Sequence, residues 1–411
     1  MKTNKLVSTL SMLLSGFTLN AHAINNAPAD ADSVTLRTNC TQGGTEIPNC
    51  FTSMDEVDSW LVNVRHPSAT KPTIINIGPG TFGGWNCKSS HVTLRGSGRD
   101  QSTFVVSSNS IGAAMWIQAG CTNLNVQDMK LDGRVGAWGV GVNNLEAITS
   151  WTNVEVIGPT YGWIESLPGF GPCPSHNGKH SWFSSRIIAT GNGGSLSGAS
   201  RAYTAGCAQS WFWGSELTAI VNANETSAFA IEAHNAEIHL YGSNARLLLA
   251  ANTIATSKHY LIAALQNSAV HIHGTGLDVE HAGTGTADML YADSTSHFHA
   301  NESGFNIHVS GAGKVRRIAG TANRIEAPYI WKQGTQPPLS SKLDGTSTYY
   351  GVQTLISASG ADSYIETDCP VSGNCSLGGN FPHQMIYRSE CTNITPNEGP
   401  WFDLTTKDCR K

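Results

Sequence analysis

The chain carries little charge and no cluster of it. Asp, Glu, Lys and Arg make up 13% of its 411 residues, about half the roughly 25% of an ordinary soluble domain. The formal net charge is -5 and no run of basic residues occurs, so the electrostatic footprint of a nucleic-acid-binding protein is missing. Beyond the amino terminus no apolar stretch approaches the roughly 18 residues that span a bilayer. None of the 10 cysteines forms a Cys-x-x-Cys pair, the spacing a structural zinc site would use.

What is present points outward from the cell. The first residues, MKTNKLVSTLSMLLSGFTLNAHA, place two lysines before an apolar stretch and end in Ala21-His22-Ala23, a small-x-small cleavage pattern. Residues 1–23 therefore read as a signal peptide, and a secreted or periplasmic product is expected. An even number of cysteines suits disulfides in an oxidising compartment. The 43 glycines favour a β-rich protein with many turns.

A repeat organises the middle of the chain. Segments beginning at Ser90, Thr122, Thr152, Ser181, Ser210, Ala236, Ser268 and Ser296 share one pattern, at steps of 32, 30, 29, 29, 26, 32 and 28. Their third residues (Val92, Leu124, Val154, Phe183, Phe212, Ile238, Val270, Phe298) are apolar. Their fifth (Leu94, Val126, Val156, Ser185, Gly214, Leu240, Ile272, Ala300) are apolar or small. Two inward columns follow from the period-two alternation of strands. A second strand follows a Gly or polar turn, as with Leu277 and Val279. A third precedes each segment, with Ile117, Tyr203, Ile231, Ile262 and Leu290 equivalent. Three short strands per rung of roughly 29 residues describe a coil of parallel strands, an all-β solenoid. Ser-Met-Asp-Glu at 53–56 is a capping box, predicting a short helix that covers the open first rung.

The stretches PTIINIGPGTF (72–82) and HVTLRGSGRDQSTF (91–104) resemble the amino-terminal rungs of the right-handed parallel β-helix, or pectin-lyase-like, superfamily. The resemblance implies a right-handed single-stranded β-helix over 72–330, preceded by an N-terminal segment with the capping helix (24–71) and followed by a disulfide-stapled cap or flap (331–411). It does not extend to catalytic motifs. The Asp-Phe-x-Phe-Gly of pectinesterases, the Asp-Asp and Gly-His-Gly of polygalacturonases and the Arg-x-Pro-x-x-Arg of pectate lyases are all absent, so no catalytic residue carries over.

Stacked rungs lie about 4.8 Å apart. Cys87 precedes Cys121 by one rung and Cys173 precedes Cys207 by one, within the ~7 Å reach of a disulfide. Cys87–Cys121 and Cys173–Cys207 are the expected bridges. Cys40–Cys50, Cys369–Cys375 and Cys391–Cys409 follow from proximity in sequence.

Three outward faces are candidates for chemistry. On the first strand, Trp213, His239, His271 and His299 are expected in one ladder, with Tyr241 and His273 beside them. Sugar rings lie well on aromatic faces, and imidazoles donate to hydroxyls and carboxylates. The competing reading is that like residues ladder because stacked neighbours pack well. Metal binding is disfavoured, because ladder nitrogens must converge and no carboxylate is forced nearby by the spacing. On the second strand, Lys130, Asp132 and Arg134 offer the base and cation that a uronate lyase needs, although alternating charges also describe a solvated face. On the third, Glu232 and Asp293 are a candidate carboxyl pair for an inverting glycosidase. The expected function is an exported protein that binds or cleaves a polysaccharide, as a lyase, hydrolase or epimerase of an acidic glycan. No cofactor is required by this reading, with calcium as an option. The alternative is a non-catalytic adhesin-like or structural glycan binder.

Overall fold

The computed structural model describes residues 27–320 except 108–111, 166–172, 174–177, 192–198, 223–224, 254, 302–303 and 312. Beyond 320 it describes only 324–326, 340–343, 347–350, 353–358, 364–366, 385–387, 401–403 and 408–409. Residues 1–23, the expected signal peptide, lie outside the described residues. Among the described residues no helix is long and apolar enough to cross a membrane.

The chain winds as a parallel β-solenoid whose rungs cross three sheets of 12, 10 and 13 strands. The first sheet carries strands such as Asn123–Gln127, Glu237–Tyr241 and Ala269–His273. The second carries Lys130–Asp132, Glu155–Gly158 and Arg186–Ala189, and the third Tyr161–Glu165, Ala199–Gly206 and Ser227–His234. Parallel pairing reaches past both expected bounds. Ser33–Leu36 pairs with Thr73–Ile77, and Gln353–Ala358 pairs with Gly304–Val309. Beyond Tyr364–Glu366, the segments Met385–Tyr387, Trp401–Asp403 and Asp408–Cys409 extend the third sheet by antiparallel pairing.

The corner from first to second sheet is the most regular part of the coil. From Gln127 to His273, each first-sheet strand is joined to its second-sheet strand by two residues. The first of the two has positive φ: Asp128, Asn153, Ser184, Gly214, Gly242 and Gly274. That left-handed backbone favours Gly, Asn and Asp, which is why WFWG, HLYG and HIHG end their strands so. Behind it, serines stack from rung to rung. The Ser185 amide donates to Ser215 Oγ, and the Ser215 amide to Ser243 Oγ, each at 3.2 Å. The ladder satisfies amides that a sharp corner would otherwise leave buried and unpaired.

The other two corners vary in length, and this displaces three rungs of the sequence alignment. Leu124 and Val126 pair not with Val154 and Val156 but with Thr149 and Trp151. Val154 lies at the corner, and Glu155–Gly158 belongs to the second sheet. In the next rung Trp182, not Phe183, faces the core, and Phe183 is 37% exposed. Phe212 pairs with Leu240, one column from its expected place, and Gly214 is a corner residue. In the third sheet Met115 rather than Ile117 occupies the Tyr203 column.

The core is a single stack of side chains along the coil. Its centre is aromatic: Trp151 lies on Trp182 (4.8 Å, 12°) and Trp182 on Phe212 (6.0 Å, 9°). From the third sheet Trp163 lies on Tyr203 and meets Trp151 edge-on at 5.4 Å. Such pairs add about 0.5–1.5 kcal/mol each beyond area burial. Polar side chains beside them are paired. His180 joins Thr149 at 2.8 Å and Glu165 at 3.0 Å, and Tyr203 joins Ser210 at 2.8 Å. Burial raises the Tyr203 phenol well above its ordinary range, so it stays neutral.

The predicted cap is present as α1, Met54–Trp60. Ser53 accepts from the Glu56 amide and Glu56 accepts from the Ser53 amide, while Met54, Val57 and Trp60 bury their side chains in the core of the coil. The buried Arg65 that follows donates to Thr73, Asp32 and the Pro72 carbonyl at 2.8–2.9 Å. Cys40–Cys50, Cys87–Cys121 and Cys173–Cys207 are bridged, with Cα separations of 5.6, 5.7 and 5.5 Å. Cys369, Cys375 and Cys391 lie outside the described residues, and with them the two remaining pairings, including that of Cys409.

Because Trp182 is sandwiched between Trp151 and Phe212, Trp182→Ala opens a cavity that neither neighbour can fill. Urea titration is expected to show a loss of about 3–5 kcal/mol in unfolding free energy; a loss below about 1 kcal/mol would contradict the stacked core.

Candidate functional site

The second sheet's outward charges neutralise one another. Lys130 Nζ lies 3.2 Å from Glu155, and Arg186 bridges Glu155 (3.3 Å) and Glu216 (3.1 Å). Arg246 reaches Glu216, Asp278 and Glu280 at 3.6, 3.7 and 3.0 Å. Asp132 accepts from Arg134 Nε at 2.9 Å, and this hydrogen bond holds its carboxyl below the usual range. Lys130 and Asp132 lie on one face of their strand and Arg134 in the turn that follows, and all three are engaged in ion pairs. Charges alternate in sign up the sheet, which is how a solvated ladder avoids like-charge repulsion.

The third sheet is different because its strands bend. In successive rungs two consecutive residues point inward and are fully buried: Ala202 and Tyr203, Ala230 and Ile231, Leu261 and Ile262, Met289 and Leu290. The first of each pair is missing from the ladder register, as in a β-bulge stacked rung upon rung. The bend turns Tyr161, Arg201, Phe229 and Tyr260 outward in one column, with Thr204, Glu232 and Tyr291 in the column beyond. Period-two reading misses Arg201, Phe229 and Tyr260; the paired inward residues, such as Ala230-Ile231, were the signal available.

Here a charged cluster lies among aromatic rings. The Arg201 guanidinium forms an ion pair with Glu232 and donates to the Tyr161 hydroxyl at 2.9 Å. It lies 5.3 and 4.9 Å from the ring centres of Tyr161 and Phe229. His234 Nε2 is 3.2 Å from Glu232 Oε1, and the Thr204 hydroxyl donates to Oε2 at 3.4 Å. Although it points away from the core, Glu232 is only 6% exposed. Trp116 and Trp138 meet at 38° on the same sheet, and Tyr260 and Tyr291 at 62°. Asp293 does not join Glu232. Tyr291 occupies the equivalent position two rungs on, and Asp293 lies past the strand end, accepting from the Gln266 and Thr295 amides at 2.6 and 3.0 Å. Burial alone would raise its carboxyl, but these donors hold it low. The expected inverting pair is therefore not formed, because the turn occupies Asp293.

The first sheet brings together all six residues expected there. Trp211, His239 and His271 stack within 8° of parallel, and His299 follows at 41°. Beside them Phe183, Trp213, Tyr241 and His273 stack within 12°. Trp213 thus stands over Tyr241, and Trp211 takes the place over His239. The rings cover one another's faces, so they present edges outward: imidazole nitrogens and a phenol oxygen, not platforms for sugar. A carboxylate is present after all. Glu237 precedes His239 by two residues and shares its face. Its Oε1 lies 3.0 Å from His239 Nε2 and 3.8 Å from His271 Nε2. Burial alone would raise the Glu237 carboxyl, but Gln209 and His239 draw it below its ordinary value. Burial, reinforced by the neighbouring His239, brings the His271 pKa down to about 4.

No family model matches the chain, and no curated protein does. Among solved structures it is similar to a mutant pectin methylesterase in complex with a hexasaccharide (12% identity, 81% of this chain and 89% of that one, TM-score 0.41). It is also similar to a pectin methylesterase from Erwinia chrysanthemi (10%, 80% and 89%, TM-score 0.39). A third similarity is to a tailspike protein of Acinetobacter baumannii bacteriophage Fri1, a capsular polysaccharide depolymerase (9%, 81% and 63%, TM-score 0.37). Similarity at this level transfers no residue role.

The imidazole stack makes a direct expectation for titration. By NMR, His271 should stay neutral from pH 7 down through pH 5 and protonate near 4, against an ordinary 6.5. In His239→Ala the neighbouring imidazole and part of the burial are gone, so the His271 pKa should rise toward 6.5; an unchanged value would exclude the stack as the cause.

Proposed function

We propose that the protein is exported and engages an acidic polysaccharide along the outer face of the third sheet. The observation that carries this is the Arg201–Glu232–His234 cluster. A solenoid needs no charged pair shielded from water on its outside, and desolvating one is costly unless each group is well paired. Shielded, coupled charges of this kind gather where ligands bind or proton transfer occurs.

The surrounding chemistry suits a uronate-type glycan. Trp116 meets Trp138 at 38° and Tyr291 meets Tyr260 at 62°, tilts that leave ring faces for the C–H faces of sugars, whereas Tyr260 itself stacks on Phe229 at 15°. Arg201 offers a planar fork for a sugar carboxylate. Glu232, positioned by Arg201 and His234, is the candidate for general-base work if the glycan is cleaved. The six first-sheet residues Trp213, His239, Tyr241, His271, His273 and His299 contribute hydrogen-bonding edges at most. The three disulfides suit an oxidising compartment, in keeping with export.

The test is to incubate the mature protein with pectic, alginate-like and neutral polysaccharides, with and without calcium, measuring retention, new reducing ends and the ultraviolet absorbance of unsaturated uronates. Retention by acidic glycans only is expected, weakened at least about 10-fold in Arg201→Gln, the loss of about one charge-assisted contact. New ends abolished by Glu232→Gln would add catalysis, as a lyase if absorbance rises and a hydrolase if not. Retention by no glycan, or retention indifferent to Arg201→Gln, would overturn the proposal.

A further inference from the structure

We propose that Glu237, His239 and His271 bind one transition-metal ion of the zinc class on the outer face of the first sheet. The site lies on a different sheet from the proposed glycan face and does not depend on it.

Geometry is the first support. One nitrogen from each imidazole and one carboxylate oxygen all lie within 4.8 Å of one another. Ligands at ~2.1 Å from a tetrahedral ion are separated by roughly 3.4 Å. Glu237 Oε1 is already 3.0 and 3.8 Å from the two Nε2 atoms, so a modest rotation of both half-buried rings completes the convergence.

The supporting contacts are the second. Metal-bound carboxylates and imidazoles are commonly held by hydrogen bonds from behind. Glu237 Oε2 accepts from Gln209 Nε2 at 2.8 Å, which leaves Oε1 to face the imidazoles. The Tyr241 hydroxyl lies 3.3 Å from His239 Nδ1. For His239 to bind through Nε2, its single proton must sit on Nδ1, and Tyr241 Oη is there to accept it. The imidazole shifts its proton from one nitrogen to the other, and none is lost.

Donor type selects the ion. Two imidazoles and one carboxylate match zinc, cobalt or nickel, whereas calcium takes six to eight oxygens. Three protein ligands leave a fourth position for water or an incoming group.

The experiment uses the full mature chain, free of any histidine tag and stripped of metal, near pH 7.5, where imidazole ligands are deprotonated. Zinc chloride is titrated calorimetrically, and cobalt chloride by visible absorption. One ion per chain is expected, with the intense absorption of tetrahedral cobalt and no response to calcium. Glu237→Gln and His271→Asn should each weaken zinc by at least about 10-fold, and Gln209→Ala by about 10-fold. His273→Ala, on the stripe but outside the trio, should leave affinity unchanged. Circular dichroism confirms that each variant is folded. Absence of saturable zinc binding, binding undiminished in Glu237→Gln and His271→Asn, or equal loss in His273→Ala would each overturn the proposal.

Discussion

Hydrogen bonding between parallel strands sets the rungs about 4.8 Å apart, and every side chain must then tolerate its equivalent directly above and below. Most features of this protein are answers to that constraint. Apolar positions become columns of core. Aromatic rings become stacks, as along Trp151, Trp182 and Phe212. Serines behind the corner become a hydrogen-bonded ladder. Charges cannot stack on their own kind, so on the second sheet Lys130, Glu155, Arg186 and Glu216 alternate in sign. Imidazoles can stack only while uncharged, and His271 is held neutral by burial and by His239.

The same constraint separates the two sheets that could meet a ligand. Straight first-sheet strands hold their rings parallel and turn the faces toward neighbouring rungs. On the bent strands of the third sheet Trp116 and Trp138, like Tyr260 and Tyr291, meet at a tilt, Tyr260 stacks on Phe229, and Arg201 lies over Tyr161 and Phe229. A stack of edges offers lone pairs and N–H groups, which suits an ion. A set of tilted faces beside a shielded charge pair suits a flat, partly apolar, partly anionic ligand. The two faces therefore differ in whether their strands carry the bulge repeated in register.

Much of the fold was legible because its signals are local. The capping box at Ser53 and Glu56, the Gly turn that ends HIHG, and the one-rung offset of Cys87 from Cys121 each read correctly without long-range information, whereas the Gly that ends WFWG was placed in a core column and is a corner residue. Alignment failed where rung length changed: the short rung through Trp151 moved Val154 and Phe183 out of the first-sheet core. Site residues were harder. Glu237 stands two residues before His239 and so shares its face by the same two-residue alternation that joins His271 and His273. Arg201 and Phe229 were hidden by a bend that breaks alternation, and Asp293 looked available because turn hydrogen bonding is not visible in a column of letters. Asp132 and Lys130 were recognised as charged neighbours, but their partners come from the next turn of backbone and from the next rung.

The constancy of the two-residue corner has an evolutionary side. From Gln127 to His273 it never changes length, whereas the connections into and out of the third sheet range from the single residue between Gly206 and Ala208 to the long segment between Glu165 and Gly178. An extra residue at the constant corner would break the left-handed turn and the serine ladder and throw every later rung out of register. Insertions and deletions are free to accumulate only along the two edges of the third sheet. The connections that border the strands of Arg201 and Glu232 can therefore change length while the seam between the first two sheets keeps its register.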